Sequence, residues 1–164
     1  MPLPKMGVTA DVAWFHIKLN EYMNTSEVYF LTVKRKNEPY RYCHALPGGF
    51  VELNETLKQG ARRELFEETH GNIDMKRLHF VMMLDGVKRD PRGRTISAVF
   101  TTMTFGGWND TFSFPELEAG DDASDLKWMK LDNTNLLAFD HHLAVEQAFA
   151  KASEIFKIPQ GAIV

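Results

Sequence analysis

The sequence predicts a mixed, sandwich-like α/β fold in one continuous domain, 1–164. Segments with strand-like alternation and segments with helical period follow one another along the chain. No Ser/Gly linker, charge block or internal repeat divides them, and 164 residues amount to about one domain at roughly 150 residues each.

Residues 7–18 (GVTADVAWFHIK) and 27–35 (EVYFLTVKR) combine Val, Ile, Phe, Tyr and Thr with partial alternation, which suits two strands. Pro47-Gly48-Gly49 then breaks the pattern. Over 55–69, strong helix formers carry Leu57, Ala61 and Leu65 on one apolar stripe, which predicts a helix despite Gly60. Residues 78–88 and 94–105 read as a hairpin around Asp90-Pro91-Arg92-Gly93, whose Asp, Pro and Gly stand where a type I turn prefers them. A long loop, 106–124, carries aromatics and acids but no Lys or Arg, and 125–131 (DLKWMKL) alternates as a short strand. Asp140 is placed to cap a last helix that puts Val145, Phe149, Ala152 and Phe156 on one face.

The formal charge of -3 and pI near 6.1 argue against a protein that coats nucleic acid, which needs a surplus of Lys and Arg. Any anionic ligand must be held locally. The lone cysteine, Cys43, cannot form an internal disulfide and is expected to be a small buried thiol. Without a signal-like segment or an apolar run long enough to span a bilayer, the expectation is a cytoplasmic protein with no membrane partner.

The informative segment runs from Gly49 to Glu68. On a helix, Glu64, Glu67 and Glu68 fall within an arc of about 100° beside the apolar stripe. Like charges at these spacings repel, more so when partly buried, so something must compensate. Mg²⁺ or Mn²⁺ would do so, because hard cations favour oxygen ligands and share their shells with phosphate oxygens. A Gly-Gly turn nearby lets backbone approach a ligand closely. The alternative is a solvated acidic face partnered by Arg62 and Arg63.

Gly49, five residues, Glu55, seven residues, then Arg63-Glu64-Leu65-Phe66-Glu67-Glu68 closely resembles the signature of the Nudix hydrolase family, and Leu46-Pro47-Gly48-Gly49 matches its lead-in. The resemblance implies a Nudix-type α/β/α sandwich with a mixed β-sheet. It implies metal ligation by Glu64 and Glu68, with Glu67 as a further ligand or outer-sphere partner and the Gly48 carbonyl completing the shell. Arg63 would orient the glutamates and Glu55 would stabilise the loop–helix geometry. One departure stands out: the pattern expects Gly at position 70, whereas the chain reads His70-Gly71-Asn72-Ile73, which shifts the glycine cap of the helix by a residue.

Outside that signature, residues 90–100, 119–129 and 137–149 look like ADP-ribose pyrophosphatase members of the family, so the resemblance covers nearly the whole chain. Arg92 and Arg94 provide charges that could clamp a diphosphate, with Arg94, read as a strand residue, preferred. Gly48, Gly49 and Phe50 complete the substrate-binding set. A water-activating acid is expected before the Trp-containing strand; Asp122 is preferred, with Glu118 and Glu116 behind it. His141 and His142 lack the Cys or third spaced His that zinc would need, which leaves capping or packing. Trp14, Phe15, Phe50 and Trp108 read mainly as packing residues, one of which could stack on adenine.

The leading expectation is a Mg²⁺- or Mn²⁺-dependent hydrolase cleaving ADP-ribose to AMP and ribose 5-phosphate. A nucleotide sugar, NADH, a dinucleoside polyphosphate or an oxidised nucleoside triphosphate is the alternative substrate. A sensor of ADP-ribose is the alternative class; it calls for a DNA-binding domain and eroded glutamates, and neither is in the sequence. A homodimer is expected from the family.

Overall fold

The strand β1 (Gly7–Asn20) lies at the centre of a seven-stranded sheet. It is apolar on both faces, as a strand covered on both sides must be. The computed structural model describes residues 5–20, 25–106, 115–120 and 123–158. Along one edge, the second half of β1 pairs antiparallel with β2 (Thr25–Arg35). A short β3 (His44–Ala45) continues from β2, and β4 (Gly48–Phe50) takes the first half of the same β1 edge, with Asp11 opposite Gly48.

After β4 comes α1 (Leu57–Thr69), opened by a capping box in which Thr56 Oγ1 accepts from Gln59 N and Gln59 Oε1 accepts from Thr56 N. The shifted glycine does not cap it. His70 itself adopts the left-handed conformation (φ 52°) and its N–H donates to Phe66 O, so the expected displacement of the cap onto Gly71 is corrected. A 3₁₀ turn, Met75–Arg77, leads into β5 (His79–Leu84), which forms the expected hairpin with β6 (Thr95–Gly106). β6 runs parallel to β1 over its whole length, which makes the sheet mixed. β7 (Ala123–Lys130) pairs with β2, and a second 3₁₀ segment, Leu131–Leu136, precedes α2 (His141–Phe156).

Alternation along β1 separates two cores. Ala13, Phe15 and Ile17 pack with Val145, Ala148 and Ala152 of α2, whereas Ala10, Val12 and Trp14 pack with Ala61 and Leu65 of α1. The helices thus cover opposite faces, giving an α/β/α sandwich. Trp14 and Phe15 belong to these interiors and not to a ligand site. Leu65 is fully buried, and truncating such a leucine to alanine costs about 2–5 kcal/mol.

Two local expectations are corrected. Cys43 is exposed rather than buried, because it lies in the loop between β2 and β3. Asp140 stands at the N-cap of α2 but makes no capping hydrogen bond; its carboxylate is taken by Arg89, whose Nε and Nη2 donate to it at 2.7–3.1 Å. Among the described residues, no helix is long and apolar enough to cross a membrane.

Candidate active site

The site assembles where β4 crosses beneath α1. Gly48 has φ 157°, and a side chain there would collide with the Ala10 carbonyl and Asp11, so the chain can lie flat on β1 only as glycine. At Gly49, a Cβ would sit 2.5 Å from Glu64 Cδ, so the missing side chain is the space that the Glu64 carboxylate occupies. Four residues further along α1, Glu68 Oε2 accepts a 2.9 Å hydrogen bond from Gly48 N–H. Two helix carboxylates are thereby seated on two consecutive glycines.

Arg63 organises the outer side of this cluster. Its guanidinium donates to Glu55 at 2.7 and 3.1 Å, to Glu64 and Glu67 at 2.9 Å each, and to the Phe50 carbonyl at 3.0 Å. Glu55 is held below the usual carboxylate range by Arg63 and by the Glu52 amide. Glu64 and Glu68 behave oppositely. Burial pushes both upward, Glu68 to about 8, with the charges of Glu64 and Asp11 adding to the effect there despite the Gly48 hydrogen bond. Carboxylates are therefore crowded and desolvated under the glycine loop, so that their ionised forms are disfavoured, the condition that a divalent cation relieves. The oxygen-only donor set fits Mg²⁺ or Mn²⁺. Among the described residues, no three His, Cys, Asp or Glu side chains form a ready-made metal cluster, since Glu67 is turned outward to Arg63.

A cleft opens beside this pair. Gly48, Gly49, Phe50 and Glu68 line it, with Asp11 and His141. Arg35, Arg89, Asp90, Arg92 and Phe139 line it as well. Arg89 is neutralised by Asp140, and Arg92 by the buried Asp90 at 2.7 Å. Among the described residues, Arg35 forms no close ion pair; its Nε donates to Pro39 O and its guanidinium lies 5.0 Å from the Phe139 ring. Burial and the nearby Arg92 disfavour its charge, against the more distant carboxylates of Glu68, Asp90 and Asp11. Arg92 lies over Phe50 at 5.1 Å.

Of the expected residues, Gly48, Gly49, Phe50, Glu68 and Arg92 line this cleft, and Glu64 backs onto it through Gly49. Arg94 does not: it precedes β6 rather than lying on it, and its Nη1 donates to the carbonyls of Asp85 and Gly86. Glu116 and Glu118 are exposed on a segment tied to the end of α1 by Glu118 N–H to Thr69 O and Gly120 N–H to Glu68 O. Asp122 and Trp108 lie outside the described residues. His142 is exposed. Asp11, Arg35, Arg89 and Phe139 were not singled out from the sequence. Only Asp11 left a trace there, an acid in the middle of an apolar strand.

A curated ADP-ribose pyrophosphatase of Methanocaldococcus jannaschii is 42% identical over 116 residues, covering 71% of this chain and 63% of that protein. An ADPR-responsive transcriptional repressor of Acinetobacter baylyi is 32% identical, covering 90% of this chain and 55% of that protein. The chain thus spans less than two thirds of the length of either relative. Among solved structures, a bifunctional NMN adenylyltransferase/ADP ribose pyrophosphatase of Francisella tularensis, complexed with AMP and Mn ion, superposes with a TM-score of 0.74 at 32% identity, covering 93% of this chain and 43% of that one. The family model described as NUDIX domain matches residues 12–151. With its paired carboxylates seated on the glycine loop, the chain belongs to the Nudix family.

Proposed function

We propose that the chain hydrolyses the diphosphate linkage of ADP-ribose: water adds to one phosphorus, the bond between that phosphorus and the bridging oxygen breaks, the bridging oxygen leaves on the other phosphate, and the products are AMP and ribose 5-phosphate. The observation that carries this reading is the meeting of a buried carboxylate and two guanidinium groups in one cleft. Glu68, buried on Gly48, lines it together with Arg35 and Arg92. A diphosphate would satisfy the carboxylate through a shared cation and the guanidinium groups through its own oxygens.

In this reading Glu64, Glu68 and the Gly48 carbonyl hold Mg²⁺ or Mn²⁺, with Glu67 as a further or outer-sphere partner through Arg63. When bound, the cation supplies charge neutralisation and activation of water. Arg92 and Arg35 orient the diphosphate, while Phe50 and Phe139 offer aromatic walls. Asp122, or Glu118 on the segment tied to the end of α1, is the carboxylate that accepts the proton from water. The substrate assignment also draws on the relative named as an ADP-ribose pyrophosphatase. The same reading has a cytoplasmic homodimer of one-domain subunits acting on a small nucleotide rather than on nucleic acid.

A panel of ADP-ribose, nucleotide sugars, NADH, dinucleoside polyphosphates and oxidised nucleoside triphosphates, incubated with Mg²⁺ and assayed for the nucleotide product each would release, tests the proposal. Fastest turnover of ADP-ribose, with AMP and ribose 5-phosphate as products, supports it. Preference for another compound replaces the substrate, and tight ADP-ribose binding without products replaces the enzyme with a sensor.

A further inference from the structure

The geometry points to His141 as a positioning residue that fixes the glycine loop of the active site by accepting a hydrogen bond from the Leu46 backbone. The Leu46 N–H donates to His141 Nδ1 at 3.0 Å, and the contact is buried although the residues are 95 apart in sequence. His141 is 4% exposed at the first turn of α2, and burial holds its pKa below the ordinary histidine value. Because Nδ1 accepts a backbone N–H, its proton resides on Nε2, which faces Asp11 Oδ2 at 3.9 Å.

Leu46 stands two residues before Gly48, and the intervening carbonyl of Pro47 accepts from Val12 N–H at 2.8 Å. The loop is therefore fastened at three successive points: Leu46 to α2, Pro47 to β1, and Gly48 to α1 through Glu68. The α2 end is itself anchored, since Asp140 binds Arg89 and Ala138 N–H donates to the His44 carbonyl at 2.7 Å. Without an acceptor at the Nδ1 position, the Leu46 N–H would be buried unpaired, and the loop would shift to satisfy it. A shift of about 1 Å at a reacting centre can cost about 100-fold in rate, which makes this fastening a matter of turnover as well as stability. The inference rests on the proposed placement of Gly48 at the reacting centre.

Two isosteric substitutions test it. In His141→Asn the side-chain oxygen stands as many bonds from Cβ as Nδ1 does, whereas in His141→Gln it reaches the Nε2 position. We expect the Asn variant to keep slow exchange of the Leu46 amide and a kcat within about threefold of wild type. The Gln variant should show Leu46 exchange faster by about tenfold or more and a kcat lower by about 10- to 100-fold, with KM changed far less. Equal kcat for the two variants, or a Gln variant with wild-type kcat, overturns the inference. If neither variant folds, wild-type protein with ¹⁵N-labelled histidine decides: an unprotonated Nδ1 coupled to the Leu46 N–H supports it, and a protonated Nδ1 overturns it. Activity is measured on whichever nucleoside diphosphate derivative the wild type cleaves best. A wrong substrate assignment then alters all proteins alike, whereas a failed inference appears only in the Asn/Gln comparison.

Discussion

The Gly48 N–H and Glu68 Oε2, 20 residues apart, meet at 2.9 Å and close the loop–helix segment on itself. The contact places a buried carboxylate against the backbone that approaches the ligand, and it makes Glu68 sensitive both to its own charge and to loop position. Replacing Glu68 by Gln keeps the shape and one acceptor oxygen but removes the charge. We expect turnover to fall by at least about 100-fold, with retained folding, because charge stabilisation of this kind is typically worth that much. Mn²⁺ should raise the thermal midpoint of the wild type and leave that of Glu68→Gln nearly unchanged; equal shifts in the two proteins would remove Glu68 from the metal site.

The same carboxylate sets a pH dependence of stability in metal-free protein. Glu68 is raised from 4.5 to about 8, chiefly by burial, so between those values the folded state holds a proton that the unfolded state has lost. Stability therefore declines as pH rises through this window and stops declining above it. Glu68→Gln lacks the titration. With chelator present, its thermal midpoint should gain on that of the wild type between pH 5 and pH 8.5, and a difference that stays constant across the range would contradict the assignment.

Gly49 and Gly86 give contrasting outcomes for the same substitution. A Cβ at Gly49 meets Glu64 Cδ at 2.5 Å, whereas at Gly86 the nearest atom is Arg89 Cβ at 3.6 Å, an ordinary contact. Gly49→Ala must displace either the Glu64 carboxylate or β4, and we expect activity to fall by more than about tenfold. Gly86→Ala should stay within about twofold of wild type when kcat is measured side by side.

How far the sequence foretold this site follows from contact distance along the chain. The spacing from Gly49 to Glu68 is local, set by one loop and one helix, so its glutamates, its arginine and its glycines could be read directly. The helix stripe and the apolar run of β1 likewise encode burial through their own periods. Asp11, Arg35, Arg89 and Phe139 come from β1, the end of β2, the β5–β6 loop and the approach to α2. Only the sheet order brings them together, and no spacing rule records that order. Asp140 was legible as a helix start, but not as the partner of Arg89, 51 residues earlier. Cys43 misleads for the opposite reason: composition favours burial of a lone thiol, and the loop that carries it decides otherwise.

Arg63 holds Glu55, Glu64, Glu67 and the Phe50 carbonyl with one guanidinium, three-quarters buried. Lysine has no planar fork and cannot serve these directions together. Arg63→Lys should lower kcat by about tenfold and reduce unfolding free energy in denaturant by about 1.5–3 kcal/mol, the range for losing charged hydrogen bonds. A variant with wild-type stability and turnover would show that the glutamates keep their orientation without it.

The last prediction concerns which arginine of the 90–94 turn meets the substrate. Arg92 is fixed by Asp90, whose Oδ1 accepts from both the Arg92 backbone N–H and Nε while Oδ2 accepts from Nη2. Asp90 stays ionised despite its burial because Arg92 and its amide outweigh the desolvation, and Arg92 in turn is held firmly charged by Asp90. The Arg92 side chain is still 43% exposed, with its guanidinium over Phe50 at the cleft, so it can reach an anion. Arg94 spends its Nη1 on two carbonyls away from the cleft. Removing Arg92 takes away a pre-oriented cation and also leaves Asp90 as an unpaired acid beside the diphosphate, so Arg92→Ala should raise KM by about tenfold or more. Asp90→Asn, which frees the same guanidinium from its fixed position, should raise KM by a smaller factor. Arg94→Ala should change KM by less than about twofold. The reverse ranking of Arg92 and Arg94 in steady-state kinetics would mean that the turn rearranges on binding and that Arg94, not Arg92, clamps the substrate.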